Sequence, residues 1–144
     1  MMATIEKQIT INAPVDRVFS YVADFPRHSE WARQPLKIEA TGPIQQGSKF
    51  KSVGKQFGEH EDEVTVTEFV PNQKLAFESM GDAGHLRHAF TLAGEGGGTR
   101  LTKSVEPVKL AGMAMLMSPI LKMFLIPQGV QSDLQRIKEK IEGG

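Results

Sequence analysis

Apolar and polar residues alternate near the start of the chain and predict a first β-strand over residues 5–11. Ile5, Ile9 and Ile11 fall at alternate positions and share a face with Lys7. This two-residue period is that of a strand with one buried face. We therefore expect the fold to begin with a strand.

The pattern becomes helical from Pro14 onward. Proline suits the first position of a helix, and Asp16 lies in the first turn, where the helix dipole favours an acid. The next apolar residues fall at helical spacing: Val15, Val18, Phe19 and Val22. This pattern stops near residues 24–26. We expect a short amphipathic helix here, and after it a second short helix that holds Trp31.

The middle of the chain has the turn signals of an antiparallel meander. Glycine, proline and asparagine recur in short clusters, at 42–43, 47, 71–72, 81–84 and 94–98. Such clusters mark turns between strands. Six more strands fit between them, at 36–41, 48–53, 62–70, 74–80, 85–93 and 99–107.

The last third of the chain is helical in pattern, with Ser118 as an N-cap and Pro119 at the first helical position. One apolar stripe runs through this region at spacings of three or four: Met113, Leu116, Ile120, Met123, Pro127, Val130, Leu134, Ile137 and Ile141. The stripe predicts one long helix that bends at Pro127. Beyond the bend, the charged residues are expected on the outer side: Asp133, Arg136, Lys138, Glu139 and Lys140.

Composition narrows the classes of function. The 144 residues suit a single domain over 1–144, and the 17 basic and 17 acidic residues balance. No net field would therefore draw the protein to nucleic acid. The chain has no cysteine, which excludes disulfides and thiolate sites. Because its N-terminus also lacks a secretory-signal pattern, we expect a cytoplasmic protein.

Residues 110–126 form the one segment for which a membrane must be considered. The segment is apolar except for Ser118 and Lys122, and it contains Gly112 and Pro119. A bilayer-spanning helix needs about 20 apolar residues. A buried helix is the favoured interpretation, and docking of this segment on a membrane or a partner protein is the alternative.

Neither a metal nor another cofactor is expected. Residues 60–63 read HEDE, but neighbours on a strand alternate faces and cannot all converge on one ion. This segment is interpreted as the solvated start of a strand. His28, Glu30 and His85 lack the spacing of a zinc site.

Hairpin register predicts which side chains share a face. Around residues 81–84, pairing Met80 with His85 separates apolar from charged residues. The pairs that follow are Phe77 with His88 and Leu75 with Phe90 on the apolar face, and Glu78 with Arg87 on the solvated face. A slip by one residue would mix the two faces.

The next hairpin extends the apolar face by pairing Leu92 with Thr99. That register sets Phe90 against Leu101 and Leu86 against Val105, and it brings His88 beside Lys103. His88 and Lys103 would then be polar groups on the concave face. A histidine titrates near neutrality, so it can hold a proton or orient a carbonyl. The alternative is a structural histidine and a lysine that reaches out to solvent.

The element order and several motifs resemble the START-like superfamily with the helix-grip fold, particularly its polyketide cyclase/dehydrase-like branch. The motifs lie at residues 11–15 (INAPV), 66–69 (VTEF), 75–77 (LAF), 90–92 (FTL) and 98–102 (GTRLT). The resemblance implies an α+β fold, with a curved seven-stranded antiparallel sheet around a long C-terminal helix and two short helices after the first strand. It also implies a hydrophobic ligand such as a lipid, a quinone or a polyketide.

The leading hypothesis is non-covalent binding of a small apolar or aromatic molecule between the sheet and the C-terminal helix. The candidate ligand-binding residues are Phe19, Trp31, Phe50, Phe57, Phe77, His88, Phe90, Lys103, Met113, Met117 and Met123. The alternative is a cyclase or dehydratase in which His88 acts as the base and Lys103 as an electrostatic stabiliser.

Overall fold

The computed structural model describes residues 4–30, 36–39, 44–54, 60–81, 84–110 and 126–143. They form an α+β fold with a curved antiparallel sheet and a C-terminal helix. Strand β1 (Ile5–Ile11) is followed by helix α1 (Val15–Val22) and by a 3₁₀ helix (Phe25–Glu30). Asp16 lies in the first turn of α1, as expected, but Pro14 precedes the helix with an extended backbone (φ −68°, ψ 156°) instead of occupying its first position.

The remaining strands form a meander with β1 added at its end. They are β2 (Leu36–Glu39), β3 (Lys49–Gly54), β4 (His60–Val70), β5 (Lys74–Gly81), β6 (Gly84–Glu95) and β7 (Gly98–Leu110). Within the described ranges the sheet has seven strands, in the order β1-β7-β6-β5-β4-β3-β2. All pairings are antiparallel. Each strand from β2 to β7 thus pairs with its neighbours along the chain.

The β5–β6 register agrees with the prediction. Phe77 pairs with His88, and Glu78 pairs with Arg87. Phe90 has no exposed surface, whereas the side chain of Arg87 is 54% exposed. The apolar and charged faces are therefore the inner and outer faces of the sheet.

The predicted β6–β7 register was wrong by two residues. The connecting turn consists only of Gly96 and Gly97, at φ 57° and 87°. Glycine adopts these angles readily, and a two-residue turn of this kind lets both strands continue up to it. Leu92 consequently pairs with Leu101 rather than Thr99. A shift of two residues keeps every side chain on its predicted face, but it changes the cross-strand partners.

The C-terminal helix α2 (Ile126–Gly143) packs principally against β1 and β7. Its predicted apolar stripe is buried at Val130, Leu134, Ile137 and Ile141. Each such side chain contributes about 1.5–3 kcal/mol to folding. Pro127 is the second residue of α2 that the structure describes. The predicted helix before residue 126 lies outside the described residues, so the bend at Pro127 remains a prediction.

Polar contacts attach the end of α2 to the start of the fold. Arg17 Nη2 donates to the carbonyl oxygen of Ile141 at 2.6 Å. The backbone N–H of Asn12 donates to Glu142 Oε2 at 2.7 Å. A cation at the carboxyl end of a helix also complements the helix dipole. These contacts fix α2 over the β1 edge of the sheet.

In the part of the chain that the structure describes, no helix combines the length and the apolar character that crossing a bilayer requires. Residues 111–125, the interior of the predicted docking segment, lie outside that part.

Candidate ligand-binding site

His88 lies on the inner face of β6 and stacks on Phe77 of β5. The two ring centroids are 4.8 Å apart and the planes differ by 12°. Nε2 of His88 lies 3.2 Å from Ser79 Oγ, a hydrogen bond whose donor depends on the imidazole tautomer. Both His88 and Ser79 are half-buried. The sheet thus holds an oriented imidazole on a face that is otherwise mainly apolar.

Aromatic side chains form the wall around this pair. Phe25, from the 3₁₀ helix, packs edge-on against Phe50 at 4.8 Å and against Phe77 at 5.0 Å between centroids. Phe19 packs edge-on against Phe69 at 5.3 Å. Such pairs contribute about 0.5–1.5 kcal/mol each beyond their buried area. The contact with Phe25 holds Phe77, the ring beneath His88, in one orientation.

Asp62 is an inner-face residue that the sequence interpretation missed. It pairs with Ser52 on one side and with Gly81 on the other. A methyl group at Gly81 would lie 1.8 Å from Asp62 Oδ1, so the carboxylate lies over this glycine. Of the residues interpreted as the solvated start of a strand, Glu61 and Glu63 are exposed, and Asp62 is half-buried on the inner face. Its signal was the alternation of the buried Val64 and Val66, which extends back to position 62.

Lys103 is buried at 5% exposure, but it does not lie directly opposite His88. Its partner on β6 is Phe90, whose ring centroid lies 5.4 Å from Nζ. Nζ lies 3.2 Å from Asp133 Oδ2 on α2. Asp133 was expected on the outer side of the helix, and this was wrong: its side chain is only 15% exposed. A buried ammonium needs such a partner, so Lys103 connects the sheet to α2.

The 3₁₀ helix is held to α1 by a polar cluster. The Tyr21 hydroxyl donates to Glu30 Oε1 at 3.0 Å, and Arg27 contacts both oxygens of that carboxylate. Burial, together with the Glu30 carboxylate, raises the pKa of Tyr21 well above its usual range. The hydrogen bonds from Arg27 and Tyr21 lower the pKa of Glu30. The cluster holds Arg27 and Glu30 of the 3₁₀ helix against Tyr21 of α1.

The outer face carries charged pairs and a groove. Glu78 contacts His85 and also lies 3.7 Å from Arg87 Nε, as its predicted cross-strand pairing requires. A groove of about 450 Å³ runs over the small residues Ala76, Ala89 and Ser104. This groove lies on the side of the sheet away from α2. The ion pair between Glu78 and Arg87 is exposed and therefore contributes little to stability.

The structure separates the predicted site residues into three groups. Phe19, Phe50, Phe77 and Phe90 belong to the buried core. His88 is half-buried beside Phe77, whereas Lys103 is paired with Asp133. The others lie outside the described residues: Trp31, Phe57, Met113, Met117 and Met123. Among described residues, no three His, Asp or Glu side chains are grouped so as to hold a metal ion.

Solved structures with the same fold cover nearly the whole chain. Protein CV1439 from Chromobacterium violaceum superposes with a TM-score of 0.74 at 19% identity, over 96% of each chain. A conserved protein from Geobacillus kaustophilus reaches 0.78 at 14% identity, over 98% of this chain and 96% of that one. Zhui aromatase/cyclase from Streptomyces sp. R1128 reaches 0.77 at 16% identity, over 99% and 94%. At these identities the likeness shows the fold.

Sequence comparison identifies the family. No curated protein matches the sequence at a significant level. The family described as polyketide cyclase / dehydrase and lipid transport matches residues 2–142. The fold agrees with the START-like resemblance of the sequence motifs. The chain belongs to the polyketide cyclase / dehydrase and lipid transport family.

Proposed function

We propose that this protein binds a small hydrophobic or aromatic molecule non-covalently between the inner face of its sheet and α2. The observation that carries the proposal is the half-buried pair of His88 and Ser79 on a mainly apolar face. Binding sites for small molecules are mostly apolar, and a few placed polar groups orient the ligand in them. The pair has this character, because a neutral imidazole offers one donor and one acceptor.

The position of α2 supports a site on the β5–β6 part of the inner face. The helix packs principally against β1 and β7, where Lys103 and Asp133 join it to the sheet. On β5 and β6, the inner-face residues Ser79, Leu86 and His88 are only half-buried. A ligand placed there would contact both apolar side chains and the imidazole. The molecule would be of lipid, quinone or polyketide size.

Family membership supports the same class of ligand. The family description joins polyketide chemistry with lipid transport, and both involve largely apolar molecules. One structural neighbour is an aromatase/cyclase. These similarities favour a hydrophobic ligand.

Titration with Nile red, a neutral apolar dye, tests the proposal. We expect saturable fluorescence enhancement at one dye per protein, and competition by naphthalene derivatives. Mass spectrometry of the denatured protein would identify any molecule that co-purifies. A folded protein that binds neither Nile red nor naphthalene derivatives would contradict the proposal.

A second candidate function is proton-transfer catalysis on a polyketide-like substrate. The observation that favours it is that Asp62 and His88 are both titratable side chains on the inner face. The predicted pairing of His88 with Lys103 does not support it, because Lys103 lies opposite Phe90 and contacts Asp133. Incubation with a linear poly-β-keto thioester, followed by mass spectrometry for loss of water, would detect the activity. No contact in the described residues favours the membrane- or partner-docking alternative.

A further inference from the structure

Ser79 and His88 lie diagonally across β5 and β6 on the inner face of the sheet. Ser79 pairs with Leu86, which precedes His88 by two residues on the same face. Ser79 Oγ and His88 Nε2 are 3.2 Å apart. When the imidazole carries its proton on Nδ1, Nε2 accepts a hydrogen bond from the serine hydroxyl. A hydroxyl that donates to an imidazole in this way has the geometry of a nucleophile with its general base.

The imidazole is held in the orientation that this hydrogen bond needs. The rings of His88 and Phe77 are stacked, with planes that differ by 12°. Phe77 in turn packs edge-on against Phe25, with 5.0 Å between the ring centroids. Rotation of the imidazole away from Ser79 would break the stack. A general base must lie within hydrogen-bond reach of the proton that it removes, and the stack keeps Nε2 at that distance.

Apolar side chains flank Ser79 along its row of the sheet. Val64 of β4 is its partner on one side, and Leu86 of β6 is its partner on the other. Val64 is buried, whereas Leu86 and Ser79 are half-buried. A neutral apolar molecule loses little by contacting such a surface, but an ion would lose its hydration there. Ser79 thus presents a hydroxyl within an apolar wall.

We propose that Ser79 is a nucleophile and His88 its general base in acyl transfer from neutral aryl esters. This inference rests on the proposed ligand-binding function, because the ester would occupy the same inner-face site. Apart from its carbonyl group, which would lie at Ser79, such an ester is largely apolar. An aryl ester is favoured over an alkyl ester because a phenol, with a pKa of about 10, leaves more readily than an alcohol.

The reaction has two steps. In the first, Ser79 Oγ forms a bond to the carbonyl carbon of the ester, and the hydroxyl proton passes to His88 Nε2. The bond between that carbon and the aryl oxygen then breaks, and the departing oxygen takes the proton from the imidazolium. In the second step, water attacks the acyl-serine and gives a proton to His88. The carboxylic acid leaves, and the proton returns to Ser79 Oγ.

Reaction with 1-naphthyl acetate tests the inference, because the released 1-naphthol is fluorescent. We expect a burst of about one 1-naphthol per protein, with an acetyl group on Ser79 that peptide mass spectrometry locates. Ser79→Ala should abolish the burst but keep Nile red binding. His88→Phe should slow the burst about 100-fold, since a positioned general base contributes a factor of this size or more. Ser104, a half-buried serine on the outer face of β7, provides the matched control, and Ser104→Ala should react like the wild type.

Each outcome separates the inference from the proposed function. If the wild-type protein binds Nile red but gives no burst, or if Ser79→Ala keeps the burst, the inference is overturned while the ligand-binding function stands. Acetylation of lysine side chains alone, equal in all variants, would overturn it in the same way. If Nile red does not bind, the proposed function fails and the inference fails with it. Circular dichroism establishes whether each variant is folded. Should Ser79→Ala not fold, the position of the acetyl group on the wild-type protein decides.

Discussion

Lys103 of β7 and Asp133 of α2 face each other across the core, with 3.2 Å between Nζ and Oδ2. Asp133 Oδ1 also accepts a hydrogen bond from Arg136 at 2.7 Å. The contact joins two elements that are 30 residues apart in sequence. It fixes the side of the sheet that α2 covers, and so the part that stays accessible to a ligand.

Breaking this pair should destabilise the protein. Asp133→Ala leaves the Lys103 ammonium buried without this partner carboxylate, and we expect a loss of about 3 kcal/mol in the free energy of unfolding. Combining it with Lys103→Met should recover most of that loss, because the buried charge is also removed. Urea denaturation of the single and double variants measures both effects. A loss below about 1 kcal/mol for Asp133→Ala would show that the pair behaves as a surface ion pair.

The two faces of β6 should respond very differently to substitution. Phe90→Asp places a charge where no surface is exposed, so it should cost several kcal/mol, about 4 or more. Arg87→Ala removes a half-exposed outer-face side chain and should change stability by about 0.5 kcal/mol or less. Thermal melts followed by circular dichroism compare the two. Similar melting temperatures would contradict the assignment of the inner and outer faces.

Local sequence patterns predicted the faces of the strands better than the contacts between elements. The alternation around Phe77 and His88 was sufficient for the β5–β6 register. The β6–β7 register depended on the conformation of Gly96 and Gly97, and a glycine-rich segment is compatible with several loop lengths. The strands are joined by a turn of two residues instead of a longer loop. In the resulting register His88 pairs with Val105, and Lys103 pairs with Phe90.

Long-range partners of polar residues were harder to predict. Helical spacing alone predicted that Asp133 lies on the charged, outer side of α2. It contacts Lys103 because α2 packs on β7. Asp62 shares its face with buried valines, but its acidic neighbours suggested a solvated segment. In both cases a charged residue occupies an inward position, which composition and charge patterns do not predict.

The polar cluster around Glu30 should make the free energy of unfolding depend on pH in the acidic range. The folded-state pKa of Glu30 is lowered from 4.5, with the hydrogen bond from Arg27 as the main cause. A lowered pKa means that the ionised cluster stabilises the fold above about pH 4.5 and that this contribution is lost as the pH falls through the folded-state pKa. Glu30→Gln should therefore flatten the fall in unfolding free energy between pH 5 and more acidic values. Urea midpoints measured across that range test this, and identical slopes for variant and wild type would contradict it.

Two glycines of the β6–β7 hairpin should differ in their tolerance of a methyl group. A Cβ at Gly98 would lie 2.6 Å from the carbonyl oxygen of Ile11, whereas one at Gly94 would meet only Val15 Cγ2 at 3.8 Å. Gly98→Ala should therefore destabilise the protein by about 1–3 kcal/mol, because backbone must move. Gly94→Ala is the matched control and should be neutral or slightly stabilising. Equal midpoints in urea would show that β1 does not approach β7 this closely.

His88 should contribute to ligand binding through its hydrogen bond rather than through its bulk. In His88→Phe, stacking on Phe77 can be kept while the ring nitrogens are lost. We expect affinity for 2-acetylnaphthalene to fall by about 1–3 kcal/mol, because its buried carbonyl oxygen loses a donor. Affinity for 2-ethylnaphthalene, which has no polar atom, should be unchanged. Isothermal titration calorimetry with both ligands measures the difference, and Arg87→Ala, the neighbouring residue on the outer face, serves as the control. A structural histidine would change both affinities together through an altered fold, so equal losses for the two ligands would exclude His88 as the polar anchor.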